Sequence, residues 1–101
     1  DPWQPALLRL IQHTCVVGRD NNVPVGVCGE AAADPMLACV LTGLGVTSLS
    51  AASTAVAGVG AQLAELTLEQ CQKMAEAAIN AESPADARSA VIALLEEYQT
   101  A

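Results

Sequence analysis

A chain of 101 residues with four basic and eleven acidic side chains, a net charge of −7, is sized for one small domain. It lacks the clustered cations that nucleic acid or an anionic membrane surface requires. With 52% hydrophobic residues, no Phe, one Trp and one Tyr, it is not a disordered chain, and its core must come from small aliphatic side chains in tightly packed helices or helix-on-sheet layers. No apolar run reaches the ~20 residues of a membrane span, so no membrane insertion is expected. The opening Asp1-Pro2-Trp3 has no initiator Met and no basic leader, and reads as a fragment or a processed chain without a signal peptide.

Residues 5 to about 17 predict the first helix. Leu7, Leu8, Leu10, Ile11 and Cys15 recur at helical spacing, and Pro5 suits the first turn. Gly18 is expected to end it, followed by a polar turn at Arg19-Asp20-Asn21-Asn22. Val23–Val27 predicts a strand, with Val23, Val25 and Val27 buried. The run stops at Cys28, held between Gly26 and Gly29, with Glu30 beside it. Both glycines leave room for a ligand or another backbone to approach. Cys28–Ala33 reads as a loop. Asp34 as N-cap and Pro35 at the first helical position then open a short helix to Thr42, apolar almost all round and closed by Gly43 and Gly45. Val46–Leu49 predicts a second short strand. Strand, helix, strand is a right-handed parallel unit if the two strands pair. Cys28 then stands at the carboxyl end of a strand, where α/β folds place ligands and catalytic groups.

A helix over Thr54–Leu66 carries Val56, Val59 and Leu63. Thr67 with Gln70 forms a capping-box pattern and starts a helix that runs to about Ala81. Ser83-Pro84-Ala85-Asp86 starts the last, which sets Ala87, Val91, Leu94, Leu95 and Tyr98 on one face. There is no internal repeat and no boundary that would split the chain in two. Two short parallel strands do not make a stable sheet alone, and a parallel sheet needs both faces covered. The pattern therefore looks like the end of something larger.

Four cysteines, Cys15, Cys28, Cys39 and Cys71, show no Cys-x-x-Cys and no zinc spacing. Cys15, Cys39 and Cys71 lie within apolar helices and read as core filler, and no disulfide framework is expected. For Cys28 the residues leave both a reactive thiol and a buried structural thiol open. Glu30 can fix the loop, accept a backbone N–H, or hold the neighbouring thiol protonated. His13 reads as a surface or half-buried helical residue, and Trp3 as an anchor. Glu65, Glu69, Glu76, Glu82, Glu96 and Glu97 read as a solvated helical face. Ser50 and Ser53 either line a mouth at the strand end or are ordinary loop polarity.

Val25-Gly26-Val27-Cys28-Gly29-Glu30, then Asp34-Pro35, then Gly43-Leu44-Gly45-Val46-Thr47-Ser48-Leu49-Ser50 form a longer pattern, with Pro5-Ala6-Leu7-Leu8-Arg9-Leu10-Ile11 leading in. Over about residues 2–66 this resembles the C-terminal end of enzyme I of the bacterial phosphoenolpyruvate:sugar phosphotransferase system. The resemblance implies an α/β fold: the last two strand–helix units of a (β/α)8 TIM barrel over 1–66, with Val23–Val27 and Val46–Leu49 as the seventh and eighth strands, and a helical C-terminal tail over 67–101. The whole of 1–101 would then belong to the phosphoenolpyruvate-utilising domain, through which the family forms homodimers.

The same resemblance implies that Cys28 is the proton donor to C3 of the pyruvate enolate, with Gly29 and Glu30 shaping the substrate loop. Such enzymes pass the phosphoryl group of phosphoenolpyruvate through their own histidine to the phosphocarrier protein HPr, for sugar uptake, in the cytoplasm. They use Mg2+. The family's Mg2+ carboxylates, phosphate-holding arginines and phosphorylated histidine match no position here, so Mg2+ is expected outside this chain and the piece alone is expected to be inactive. Thr47-Ser48 stands where the family has an acidic pair, Ser50-Ala51-Ala52-Ser53 where it has Ser-x-Ser, and Ala57 where it has proline. Pyruvate phosphate dikinase and phosphoenolpyruvate synthase share the barrel and the Gly-x-Cys-Gly segment, but tend to differ after it. A non-catalytic helical interaction module is the alternative of another class.

Overall fold

A helix that is apolar all round has no face to give to water, so the fold must close over it. In the computed structural model, which describes residues 1–100, that helix is central. In chain order the elements are α1 (Pro5–Asp20), β1 (Gly26–Cys28), α2 (Glu30–Ala33), α3 (Pro35–Leu44), β2 (Ser48–Ser50), α4 (Ser53–Ala64), α5 (Leu68–Ile79) and α6 (Pro84–Thr100). Leu37, Val40, Leu41 and Leu44 of α3 meet Leu8 of α1, Met74, Ala75 and Ala78 of α5, and Val91 of α6 in one core. Of the tail helices, α5 packs directly against α3, and α6 closes over α5. Apolar area is what they remove from water, and they remove it from the helix that follows Cys28.

The two strands pair in parallel, as their order around a helix predicts, in the register Gly26↔Ser48, Val27↔Leu49 and Cys28↔Ser50. Hydrogen bonds extend the ladder at both ends, Thr47 N–H to the Val25 carbonyl (2.8 Å) and Gly29 N–H to the Ser50 carbonyl (3.1 Å). The result is a mostly helical α/β fold with a two-stranded sheet.

Several boundaries differ from expectation. Gly18 does not end α1 but lies buried inside it, where a Cβ would stand 2.7 Å from the Val23 carbonyl oxygen. The helix stops instead at Asn22, which takes the left-handed conformation (φ 57°). Asn22 N–H then bonds the Arg19 carbonyl and Val23 N–H the Gly18 carbonyl, the double closure of a Schellman turn. That closure ties Val23 to the helix end and Pro24 has no N–H to give, so the strand begins only at Gly26. Val23, expected to be buried, is 56% exposed.

The expected loop at Cys28–Ala33 contains the single turn α2. Gly43 lies within α3, and only Gly45 (φ 109°) ends it. The turn that follows holds Val46 N–H on the Leu41 carbonyl (3.1 Å), so β2 starts at Ser48 and not at Val46. On α4, Val59 is buried but Val56 is exposed.

The capping signals are realised. Asp34 Oδ1 accepts from the Met36 and Leu37 amides at 3.0 and 3.3 Å. Thr67 and Gln70 exchange both bonds of the capping box at 3.0 and 3.1 Å. Ser83 Oγ accepts from Asp86 N–H at 3.1 Å. Each cap satisfies amides that the first helical turn leaves open.

Cys15, Cys39 and Cys71 are free and buried, as their apolar neighbours predict. Burial, with Cys71 adjacent, pushes the Cys39 thiol up from its ordinary 9.0 to about 12, while it donates to the Pro35 carbonyl (3.3 Å). Burial raises Cys71 and Cys15 in the same direction. Below pH 9 the folded and unfolded chains both hold these protons. Above it the unfolded chain ionises first, so stability is lost as pH rises through the window from 9 to about 12. At pH 10.5 Cys39 alone should cost about 2 kcal/mol relative to pH 8, read from thermal melts at the two values. Cys39→Ala should flatten that decline.

Candidate functional site

Side chains alternate along a strand, and aligned residues of a parallel pair share a face. Val27 and Leu49 are half-buried toward the helices. Gly26 and Cys28 of β1 and Ser48 and Ser50 of β2 lie on the opposite face, all exposed. The register therefore brings Cys28 and Ser50 side by side at the carboxyl end of both strands. Cys28 is exposed while the other three cysteines are buried, so it is not a core thiol.

The two glycines serve different ends. Gly29 has φ 92° and ψ −154°, a conformation that side chains resist, yet a Cβ there would meet nothing within 4 Å. It is glycine because the chain must turn sharply from β1 into α2 while its N–H still reaches Ser50. At Gly26 a Cβ would fall 2.7 Å from the Ser48 hydroxyl, so the room expected for a ligand is already taken across the ladder. Glu30 is exposed at the first position of α2, where its charge opposes the positive end of the helix dipole.

Thr47, Asp34 and Trp3, which the sequence marks for other reasons, and Arg88, which it does not single out, complete the surroundings. The Thr47 hydroxyl accepts from Val25 N–H (3.1 Å) and donates to the Val25 carbonyl (3.0 Å), a clamp across the start of the sheet. Asp34 is the only residue between α2 and α3. Beyond its capping bonds, its Oδ2 accepts from Nε1 of the fully buried Trp3 (3.2 Å) and lies 3.8 Å from Arg88 of α6. The Arg88 guanidinium sits 5.4 Å from the Trp3 ring centre. No spacing rule links positions 3, 34 and 88, so only the fold reveals them as a group.

Other predicted residues stand apart. His13 is exposed on α1, and Glu65, Glu69, Glu76, Glu82, Glu96 and Glu97 are exposed as a solvated face predicts. Arg9 and Arg19 lie on α1, Lys73 on α5 and Arg88 on α6, so no cation of this chain belongs to the sheet. An apolar groove of about 340 Å3 runs beside β2, lined by Leu49, Val56, Val59 and Leu63 among others, and Cys28 does not line it. Among the described residues no three His, Cys, Asp or Glu side chains converge to hold a metal ion. Among the described residues no helix is long and apolar enough to cross a membrane.

Chemically, the face offers an exposed thiol that can give a proton to an atom held above it, and solvent can return one. It offers no charge to balance a phosphate.

Comparison with known proteins gives this arrangement a context. Residues 1–68 match a family model described as PEP-utilising enzyme, PEP-binding domain. The phosphoenolpyruvate-protein phosphotransferase of Streptomyces coelicolor is 54% identical over 95 residues, which is 94% of this chain and 17% of the relative. That of Mycoplasma genitalium is 37% identical over 90 residues, 89% of this chain and 16% of the relative. The multiphosphoryl transfer protein of Rhodobacter capsulatus is 40% identical over 88 residues, 87% of this chain and 11% of the relative. The chain thus spans about a sixth of the length of the first of these relatives.

Proposed function

This chain belongs to the PEP-utilising enzymes, through their PEP-binding domain, and on that footing we propose that it is the closing part of a phosphoenolpyruvate–protein phosphotransferase. The whole enzyme takes the phosphoryl group of phosphoenolpyruvate onto its own histidine and hands it to the phosphocarrier protein HPr, for sugar uptake, in the cytoplasm. The present residues form the last two strand–helix units of its (β/α)8 barrel, and the enzyme is a homodimer through that domain. By itself the piece is inactive.

Cys28 is the proton donor. When the phosphoryl group leaves, the enolate of pyruvate remains, and its C3 takes the proton from Cys28 Sγ to become a methyl group. The thiolate left behind is reprotonated from solvent, to which it is open. Gly29 sets the angle of the substrate loop and Glu30 opens it. Among the described residues the carboxylates form no donor set that fits Mg2+. The ion belongs, with the phosphate-binding cations, to the remainder of the enzyme.

The observation that carries this reading is Cys28 exposed as the last residue of β1, beside Ser50 on the open sheet face. The names of the relatives favour this enzyme over pyruvate phosphate dikinase and phosphoenolpyruvate synthase. A helical interaction module would have a buried, inert thiol at this position. Alkylation of the whole enzyme by iodoacetamide, mapped by mass spectrometry, tests the assignment. Cys28 should be labelled ahead of the three buried cysteines, and phosphoenolpyruvate with Mg2+ should protect it. Labelling indifferent to the ligand removes Cys28 from the site.

A further inference from the structure

We propose that Arg88, on the tail helix α6, is a positioning residue for the Cys28 loop, acting through Asp34 and Trp3. The inference rests on the reading of Cys28 as the proton donor and gives the tail a part in that chemistry.

Asp34 is the hub of the group. It is at once the last residue of the turn that α2 begins and the cap of α3, so it is the joint by which the Gly29–Ala33 segment is fastened to the core. One carboxylate oxygen is committed to α3, accepting from Met36 and Leu37. The other accepts from the Trp3 indole and faces Arg88. Trp3 is fully buried and is itself tied to Asp1 by its N–H (2.8 Å). Arg88 lies over the Trp3 ring, which keeps the guanidinium close to the carboxylate even though the ion pair is long and about half exposed.

Three segments far apart in the chain, the N-terminal lead-in, the joint and α6, thus close on one carboxylate. Ala87, the neighbour of Arg88, is fully buried in the core, so α6 is anchored where it presents the guanidinium. Cys28 needs its proton aimed at one carbon, and a small loss of loop order is felt as a loss of rate.

The test uses the full-length enzyme with Arg88→Met, Arg88→Lys and Asp34→Asn. Asparagine caps a helix about as well as aspartate, so Asp34→Asn keeps the cap but removes both the charge that Arg88 faces and the acceptor of the Trp3 indole. Amide hydrogen exchange is followed by mass spectrometry, with kcat and KM for phosphoenolpyruvate measured alongside. Arg88→Met and Asp34→Asn should each speed exchange across Gly29–Ala33 roughly 5-fold, with peptides from α5 unchanged, as expected for losing a partly exposed ion pair and a cation–π contact. kcat should fall by a similar factor with KM unchanged, and Arg88→Lys should recover part of both.

Unchanged exchange across Gly29–Ala33 in Arg88→Met overturns the positioning role. So does exchange that rises equally in α5, which would mark Arg88 as a general stabiliser. A looser loop with kcat intact, in an enzyme that Cys28→Ala inactivates, overturns it as well. Wild-type kcat in Cys28→Ala overturns the reading beneath it instead.

Discussion

Cys28→Ala in the whole enzyme should lower turnover of phosphoenolpyruvate to pyruvate by about 10²- to 10⁴-fold, the usual worth of a positioned acid or base. The loss should fall on kcat and leave KM near its original value, because the thiol meets the substrate carbon only as the proton moves. It should leave the fold unchanged. Cys28 is exposed and contributes nothing to the core, and alanine is tolerated at the end of so short a strand. Exchange of the pyruvate methyl protons into deuterated water, followed by NMR, isolates the step itself. In the variant it should fall in proportion to turnover. Wild-type exchange with slow turnover would place the defect in another step and dismiss the thiol as donor.

The second large effect is on stability, at Gly43. It faces α5 so closely that an added Cβ would overlap the carbonyl group of Cys71, and would lie 2.8 Å from the Gln72 nitrogen. These atoms are backbone. They cannot swing aside as a side-chain tip can, so the helices themselves must part. Gly43→Ala should destabilise by about 2–3 kcal/mol, at the upper end for overpacked cores, even though alanine is the better helix former. A urea melt would show it as a lower midpoint with the slope retained. Gly58→Ala on α4 is the matched control, because a Cβ there meets nothing within 4 Å. It should be neutral or slightly stabilising.

This contrast also marks what the sequence discloses. Helix starts were legible because capping is local: Asp34, Thr67 and Ser83 act on amides two or three residues away. Gly43 and Gly18 misled as stop signals because their meaning is tertiary. Each is glycine to admit another segment, Cys71 at one and Val23 at the other. The expected strands start three and two residues early for a related reason. Valines favour extended chain, but the turns that close α1 and α3 take up Val23 and Val46. Cys28 stands out as a candidate from its glycine neighbours and from the longer pattern around it. Its pairing with Ser50 depends on register, and the group around Asp34 on a three-way meeting that no local signal encodes.

Trp3 has a practical consequence. It is the one tryptophan of the chain, and its fully buried indole lies against a carboxylate and a guanidinium. Its emission therefore reports on a single place, the docking of the lead-in onto α3 and α6, whereas far-ultraviolet circular dichroism reports on all the helices together. If the two signals move together on heating, the joint and the helical core melt as one unit. If the emission shifts to the red first, the lead-in lifts away while the helices persist, and that lower-temperature opening is a distinct unit of the molecule.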